Sequence, residues 1–198
     1  MYKRQVEDYT LRWINFGPSY RSQTRSVNDI LREQLPVSAQ LGTASLLIAL
    51  VIGIPLGTMA ALKKNTAIDY FSMSTAILGV SVPVIILGPL LKYILAVELG
   101  WLPTQGWGTP KQAIMPAFAL GFAQSALLAR LTRASLLQVL NEDYIRTARA
   151  KGLRQRRIVV VHALKNAMIP VATVIGPLFA ALITGTFVTE RVFGIPGM

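Results

Sequence analysis

Four long apolar stretches separated by polar segments dominate the pattern of the sequence. Each stretch is long enough to cross a membrane as a helix, because about 20 apolar residues span the hydrocarbon core. The few charges inside them, such as Lys92 and Arg133, lie toward the ends, where a long side chain can reach the interface. The pattern predicts an all-α polytopic membrane protein with spans near residues 37–62, 70–97, 113–137 and 167–189.

A hydrophilic segment, residues 1–36, precedes the first span. Ser26 is a suitable N-cap for a short helix that ends near Leu35. Apolar residues recur in this helix at helical spacing, which indicates an amphipathic helix at the membrane surface or, equally well, an ordinary solvated helix. These apolar residues are Val27, Ile30, Leu31 and Leu35.

The distribution of basic residues between the spans predicts the orientation. Lys63 and Lys64 follow the first span, and residues 138–166 are strongly basic, whereas residues 98–111 are close to neutral. The positive-inside rule therefore places residues 63–64 and 138–166 in the cytoplasm and residues 98–111 outside. The basic residues of the segment 138–166 are Arg146, Arg149, Lys151, Arg154, Arg156, Arg157 and Lys165.

This orientation places the polar residues 1–36 outside, although they carry no signal peptide. A preceding span would explain how they cross the membrane. The chain also ends in a turn-like sequence, Phe193–Met198. We therefore expect an internal fragment of a longer protein.

Composition narrows the class of function. The chain of 198 residues has a formal net charge of +11 but only 15% charged residues, whereas a soluble domain carries about a quarter. The basic residues lie mainly between spans and lack aromatic platforms for bases, so the pattern favours a membrane protein over a nucleic-acid-binding protein. The absence of cysteine excludes thiolate chemistry, and one histidine, His162, cannot form a histidine metal cluster.

A short helix with well-marked ends is predicted in the cytoplasmic segment. Asn141 is a suitable N-cap, the acidic residues Glu142 and Asp143 suit the start, and Gly152 suits the left-handed position after the end. Small residues such as Ala148 would allow another surface to approach, and Tyr144 and Ile145 would anchor it. Physical chemistry alone leaves two roles open, which are docking to a partner and attachment to anionic lipid headgroups.

Glycine and proline modify the spans. Gly53 and Gly57 form a Gly-x-x-x-Gly pair, which favours close helix packing over substrate contact. Pro83 and Pro89 interrupt the second span and Pro177 the fourth, which suits a transporter that alternates between two openings. The polar residues that could line a path are Gln124, Ser125, Thr184 and Thr186.

The cytoplasmic segment resembles the EAA loop of ABC-importer permeases in its peptide-family form. The resemblance rests on Tyr144–Leu153, Arg156–Ile158 and His162–Pro170. Where the general pattern has Glu-Ala-Ala, this chain has Arg146-Thr-Ala148, a departure that peptide-type members share. Four further segments resemble the oligopeptide branch of the family, its B subunit in particular: Ser26–Ile30, Pro36–Gly42, Gly185–Glu190 and Phe193–Gly197.

This resemblance covers nearly the whole chain from Phe16 and implies a type I ABC-importer transmembrane domain in the bacterial cytoplasmic membrane. It implies a core of six spans, of which this chain would hold about four, the second to the fifth. It implies that the loop docks on ATP-binding cassette subunits, which hydrolyse ATP, so that this chain is not an enzyme and binds no cofactor or metal. It also implies a second, homologous permease subunit and an extracytoplasmic substrate-binding protein. The residues assigned to ATPase coupling are Tyr144, Ile145, Ala148, Arg149, Gly152 and Leu153.

Peptides are the substrates that the resemblance favours, while nickel complexes, glutathione and other small solutes are alternatives. A self-sufficient channel or secondary transporter is a different class. It would need intramembrane charge or an internal repeat, and the sequence shows neither. A membrane-embedded enzyme is disfavoured because no nucleophile–base pair is present.

Overall fold

The computed structural model describes residues 16, 17, 19, 26–184 and 187–197, and it is predominantly helical over them. Three helices are long and apolar enough to cross a membrane, and a bent pair of helices makes a fourth candidate span if it is counted as one. The helices are α1 Val27–Leu62, α2 Ala67–Ser81, α3 Val84–Leu91, α4 Pro110–Val139, α5 Asp143–Ala150, α6 Gln155–Arg157, α7 Leu164–Thr184 and α8 Phe187–Phe193. A π-helical stretch, Lys92–Glu98, extends α3, and a second one, Ile158–Ala163, joins α6 to α7.

The first helix is longer than the sequence predicts. The expected amphipathic helix after Ser26 and the expected first span form one continuous helix, because Pro36 is accommodated without a break. Ser26 caps its start as predicted. The Ser26 hydroxyl accepts a hydrogen bond from the Asp29 amide at 3.1 Å, and the Asp29 carboxylate accepts one from the Ser26 amide. Most of the predicted external segment lies outside the described residues.

The second span is broken at Pro83, as the sequence predicts. The chain bends by 99° between Ala67–Ser81 and Val84–Glu98. The break lies at Val82 and Pro83, which both have extended backbone angles. Proline disfavours the helical conformation of the residue before it and lacks an amide hydrogen, so both effects act at this point. Pro89, which the sequence also marks as an interruption, lies inside α3.

Helix α4 is the centre of the bundle, and α1 packs closely along it. Small residues on α1 permit this contact. A Cβ atom added at Gly53 would lie 2.6 Å from the Ser125 carbonyl oxygen, and one added at Gly57 would collide with the Ala129 carbonyl. The packing role predicted for the Gly-x-x-x-Gly pair is therefore confirmed. Lipid provides no hydrophobic driving force between helices, so the contact depends on close packing of the two backbones.

The two ends of the bundle have different character. At one end the last residues of α1 and α4 meet α5, and Ala61 and Leu136 share an apolar cluster with Ile145. We call this the basic end, because the basic segments 63–64 and 138–166 lie there. At the other end α8 is fastened by polar contacts. The Ser38 hydroxyl donates to a carboxylate oxygen of Glu190 at 2.6 Å.

Replacing Gly53 with alanine tests the close contact of α1 with α4. Because the new methyl group would meet the Ser125 carbonyl, Gly53→Ala should destabilise the protein by roughly 1–3 kcal/mol, as overpacking does. Gly176→Ala is the matched control, since a Cβ there meets nothing within 4 Å. Thermal unfolding in detergent should show a lower midpoint for the first variant only. Equal midpoints would contradict the packing.

Candidate docking helix at the basic end

Helix α5 begins one residue later than the sequence predicts and uses a different cap. Glu142, with extended backbone angles, occupies the N-cap position, and Asp143 is the first helical residue. Asn141, the predicted cap, instead donates through its side-chain amide to the Leu137 carbonyl at 2.9 Å. It therefore bonds to the end of α4, because only a short turn separates the two helices.

The end of α5 is defined by backbone hydrogen bonds. Gly152 has a φ of 75°, a conformation that costs residues with a side chain free energy. Its amide donates to the Arg149 carbonyl at 2.9 Å, and the Leu153 amide donates to the Ala148 carbonyl at 3.3 Å. This pairing is the Schellman motif, so the left-handed role predicted for Gly152 is confirmed.

One face of α5 is buried against the chain itself. Ile145 is fully buried and Ala148 is 8% exposed. Sequence reasoning expected these two side chains to face a partner, but they face an apolar cluster of this chain, because α5 lies directly on the ends of α4 and α7. The cluster, called here the α5 seat, contains Ala61, Leu136, Ile145, Ala148, Ile158, Ala163 and Ala167, with Leu137, Val139, Leu140, Leu153 and Met168 packed around it.

Two further contacts fix α5 in place. The side-chain amide of Asn166, in the first turn of α7, donates to the Tyr144 hydroxyl at 2.8 Å. Leu153, directly after the helix, packs against the α5 seat. Helix α5 is thus attached to both α4 and α7, and a force applied to it would reach both helices.

The opposite face of α5 is exposed and carries positive charge. Arg146 and Asp143 approach each other at 3.4 Å, but both are highly exposed, so this ion pair contributes little. The face can meet an acidic or polar surface without any rearrangement of the bundle. The exposed residues of α5 are Asp143, Tyr144, Arg146, Thr147, Arg149 and Ala150, so that two arginines outweigh one aspartate.

The predicted path-lining residues do not form one group in the structure. Ser125 is buried in the contact of α4 with α1, and its hydroxyl donates to the Phe122 carbonyl at 2.7 Å. Gln124 is partly buried on α4, and Thr184 is exposed at the end of α7. Thr186 lies outside the described residues. A path-lining role for any of them stays a prediction.

Sequence reasoning missed an ion pair near the basic end. Arg133 on α4 donates two hydrogen bonds to Asp69, in the first turn of α2, at 2.7 and 2.8 Å. The signal was present as one acidic and one basic residue at the edges of two apolar stretches, but spacing along the chain does not indicate that they meet. Among the described residues, no group of three or more potential ligands is arranged to hold a metal ion.

Substitution of Gly152 tests the end of α5. Gly152→Ala should destabilise this end by about 1 kcal/mol through backbone strain alone, since a Cβ there meets nothing within 4 Å. Gly152→Asn is the matched control, because asparagine tolerates the left-handed conformation better. Hydrogen exchange at the Gly152 and Leu153 amides should accelerate in the alanine variant more than in the asparagine variant. The reverse order would contradict the motif.

Comparison with known proteins agrees with this architecture. The chain is 48% identical over 185 residues to the dipeptide transport system permease protein DppB of Bacillus subtilis, and 47% identical over 186 residues to the oligopeptide transport system permease protein OppB of Escherichia coli K12. These alignments cover 93% of this chain but 60% and 61% of the relatives, so the chain spans about three fifths of their length.

Two solved structures share the fold. A chain of the inward-facing methionine ABC transporter MetNI matches with a TM-score of 0.69 at 21% identity, over 85% of this chain and 76% of that one. A chain of an amino acid ABC transporter crystallised with histidines matches with a TM-score of 0.65 at 16% identity, over 85% of this chain and 74% of that one. At these identities the likeness concerns the fold alone.

A family description also matches most of the chain. It covers residues 53–198, which include α4, the candidate docking helix α5 and the whole α5 seat with the residues packed around it. The chain therefore belongs to the family of inner membrane components of binding-protein-dependent transport systems.

Proposed function

We propose that this chain forms part of the translocation path of a bacterial ABC importer for peptides, and that a separate ATPase moves it through α5. The observation that carries the proposal is that α5 is buried on one face only. One face is fixed in the α5 seat and the other is exposed and basic. A helix held in this way can receive a force from a partner and pass it to the spans.

The substrate class follows from the relatives. Those that share 46–48% identity with this chain are named for dipeptide or oligopeptide transport. Peptides are therefore the proposed substrates, in preference to nickel complexes, glutathione or other small solutes. Because the chain spans three fifths of these relatives, the proposal concerns the complete protein to which these spans belong.

The proposed partners are ATP-binding cassette subunits, a second homologous permease subunit and an extracytoplasmic substrate-binding protein. This chain contains no Gly-x-x-x-x-Gly-Lys-Ser/Thr sequence for a nucleotide phosphate. ATP would therefore be bound and hydrolysed by the cassette subunits, while this chain would act without a cofactor and would not be an enzyme.

The mechanism we propose uses α5 as a lever on the bundle. A binding protein delivers a peptide on the outer side, and ATP binding draws the two cassette subunits together. The basic face of α5 moves with them, and the α5 seat passes the displacement to α4 and α7. These helices rock as packed bodies, which opens the path alternately to the two sides.

Reversal of one charge on α5 tests the docking. Arg149 is exposed and lies on the free face, so Arg149→Glu should leave insertion unchanged but reduce ATP-driven uptake about tenfold through loss of charge complementarity. Lys111→Glu is the matched control, since Lys111 is equally exposed but lies at the opposite end. The measurements are co-purification of the cassette subunits and peptide uptake into proteoliposomes that contain the complete importer. Equal uptake by both variants would contradict the docking role.

Substrate class is tested separately with the same proteoliposomes. Labelled dipeptides and longer peptides should accumulate inside when ATP and the binding protein are supplied. Uptake of a nickel complex or of glutathione in place of peptides would overturn the peptide assignment and leave the docking assignment intact.

A further inference from the structure

A bidentate ion pair joins α2 to α4. The Arg133 guanidinium donates from Nε to one carboxylate oxygen of Asp69 at 2.8 Å and from Nη2 to the other at 2.7 Å. Asp69 is 2% exposed. The Asn65 amide donates a third hydrogen bond to the same carboxylate at 3.0 Å. The Asp69 carboxylate thus binds both to α4 and to the turn between α1 and α2.

The remainder of the α2 surface that meets α4 is smooth. Its buried residues after Asp69 are Ser72, Ala76 and Gly79, which recur on one side of the helix. Ala76 packs against small residues of α4, and a Cβ at Gly79 would lie 2.8 Å from the Phe122 carbonyl oxygen. Small side chains allow close approach but form shallow ridges, so they resist sliding along the axis only weakly.

The bidentate ion pair fixes the position of α2 along α4, which the smooth surface alone does not fix. A guanidinium and a carboxylate that share two parallel hydrogen bonds accept one relative arrangement. A shift of α2 by one turn would separate them and leave the buried Asp69 carboxylate without its guanidinium partner, which is strongly unfavourable. The pair therefore sets the register of α2 on α4.

We propose that Asp69 and Arg133 are positioning residues for energy coupling. The inference rests on the proposed function of α5. Displacement of α5 reaches α4 through the α5 seat, and the ion pair passes it from α4 to α2. Helix α2 leads directly to the 99° bend at Val82 and Pro83, so the bent segment moves together with the docking helix. The pair stays closed during the transport cycle.

Variants of the pair in the complete importer test this assignment. Arg133→Lys keeps the charge but loses the bidentate geometry, so it should fold normally and lower the number of peptides transported per ATP hydrolysed. Asp69→Arg and Arg133→Asp should each lower this ratio roughly tenfold, as expected for partners in one network, and the double swap should restore most of it. Arg130→Asp is the matched control on α4, because Arg130 is exposed there.

The outcomes separate this proposal from the function on which it rests. The ratio and the thermal unfolding midpoint are measured for each variant, with Arg149→Glu assayed in parallel. A normal ratio in Arg133→Lys, or a swap that restores stability but not the ratio, would overturn the positioning role. If only Arg149→Glu lost uptake, α5 would remain the docking helix and the pair would be purely structural. If Arg149→Glu also transported normally, both proposals would fall.

Discussion

The close contact of α1 with α4 is the constraint on which the rest of the structure depends. Lipid offers no hydrophobic driving force between helices, so the bundle is held by packing at short range. Gly53 and Gly57 bring the backbone of α1 against the Ser125 and Ala129 carbonyls of α4. With α4 fixed at the centre, α2, α7 and the seat of α5 all gain a common rigid partner.

The proposed transfer of force depends on how α5, the proposed docking helix, is attached to the bundle. A helix of eight residues has little stability of its own, and α5 is stabilised by its buried Ile145, by the Schellman motif at Gly152 and by the Tyr144–Asn166 hydrogen bond. These contacts leave the opposite face free for a partner. The same element is therefore rigid relative to the bundle and accessible from outside it.

Much of this architecture could be predicted from the sequence, because a chain that crosses a membrane must form long apolar helices, and these are visible as local patterns of residues. The all-helical fold, the cap at Ser26, the glycine packing and the left-handed Gly152 each depend on nearby residues or on one residue type. What could not be predicted depends on three-dimensional proximity. The sequence marks Pro83 as an interruption of the second span, but it does not show that the bend reaches 99°. The turn after α4 redirects Asn141 from α5 to Leu137. The seat that buries Ala148 and the pairing of Asp69 with Arg133 likewise join distant parts of the chain.

The central claim is that α5 and α4 move as one body. Spin labels at Leu127 on α4 and Thr147 on α5, both exposed positions, allow their separation to be measured by pulsed electron paramagnetic resonance in the complete importer. The account predicts the same distance, within about 2 Å, with and without bound ATP, since packed elements shift as rigid bodies. A clearly larger change between the two states would show that α5 moves independently and would contradict the account.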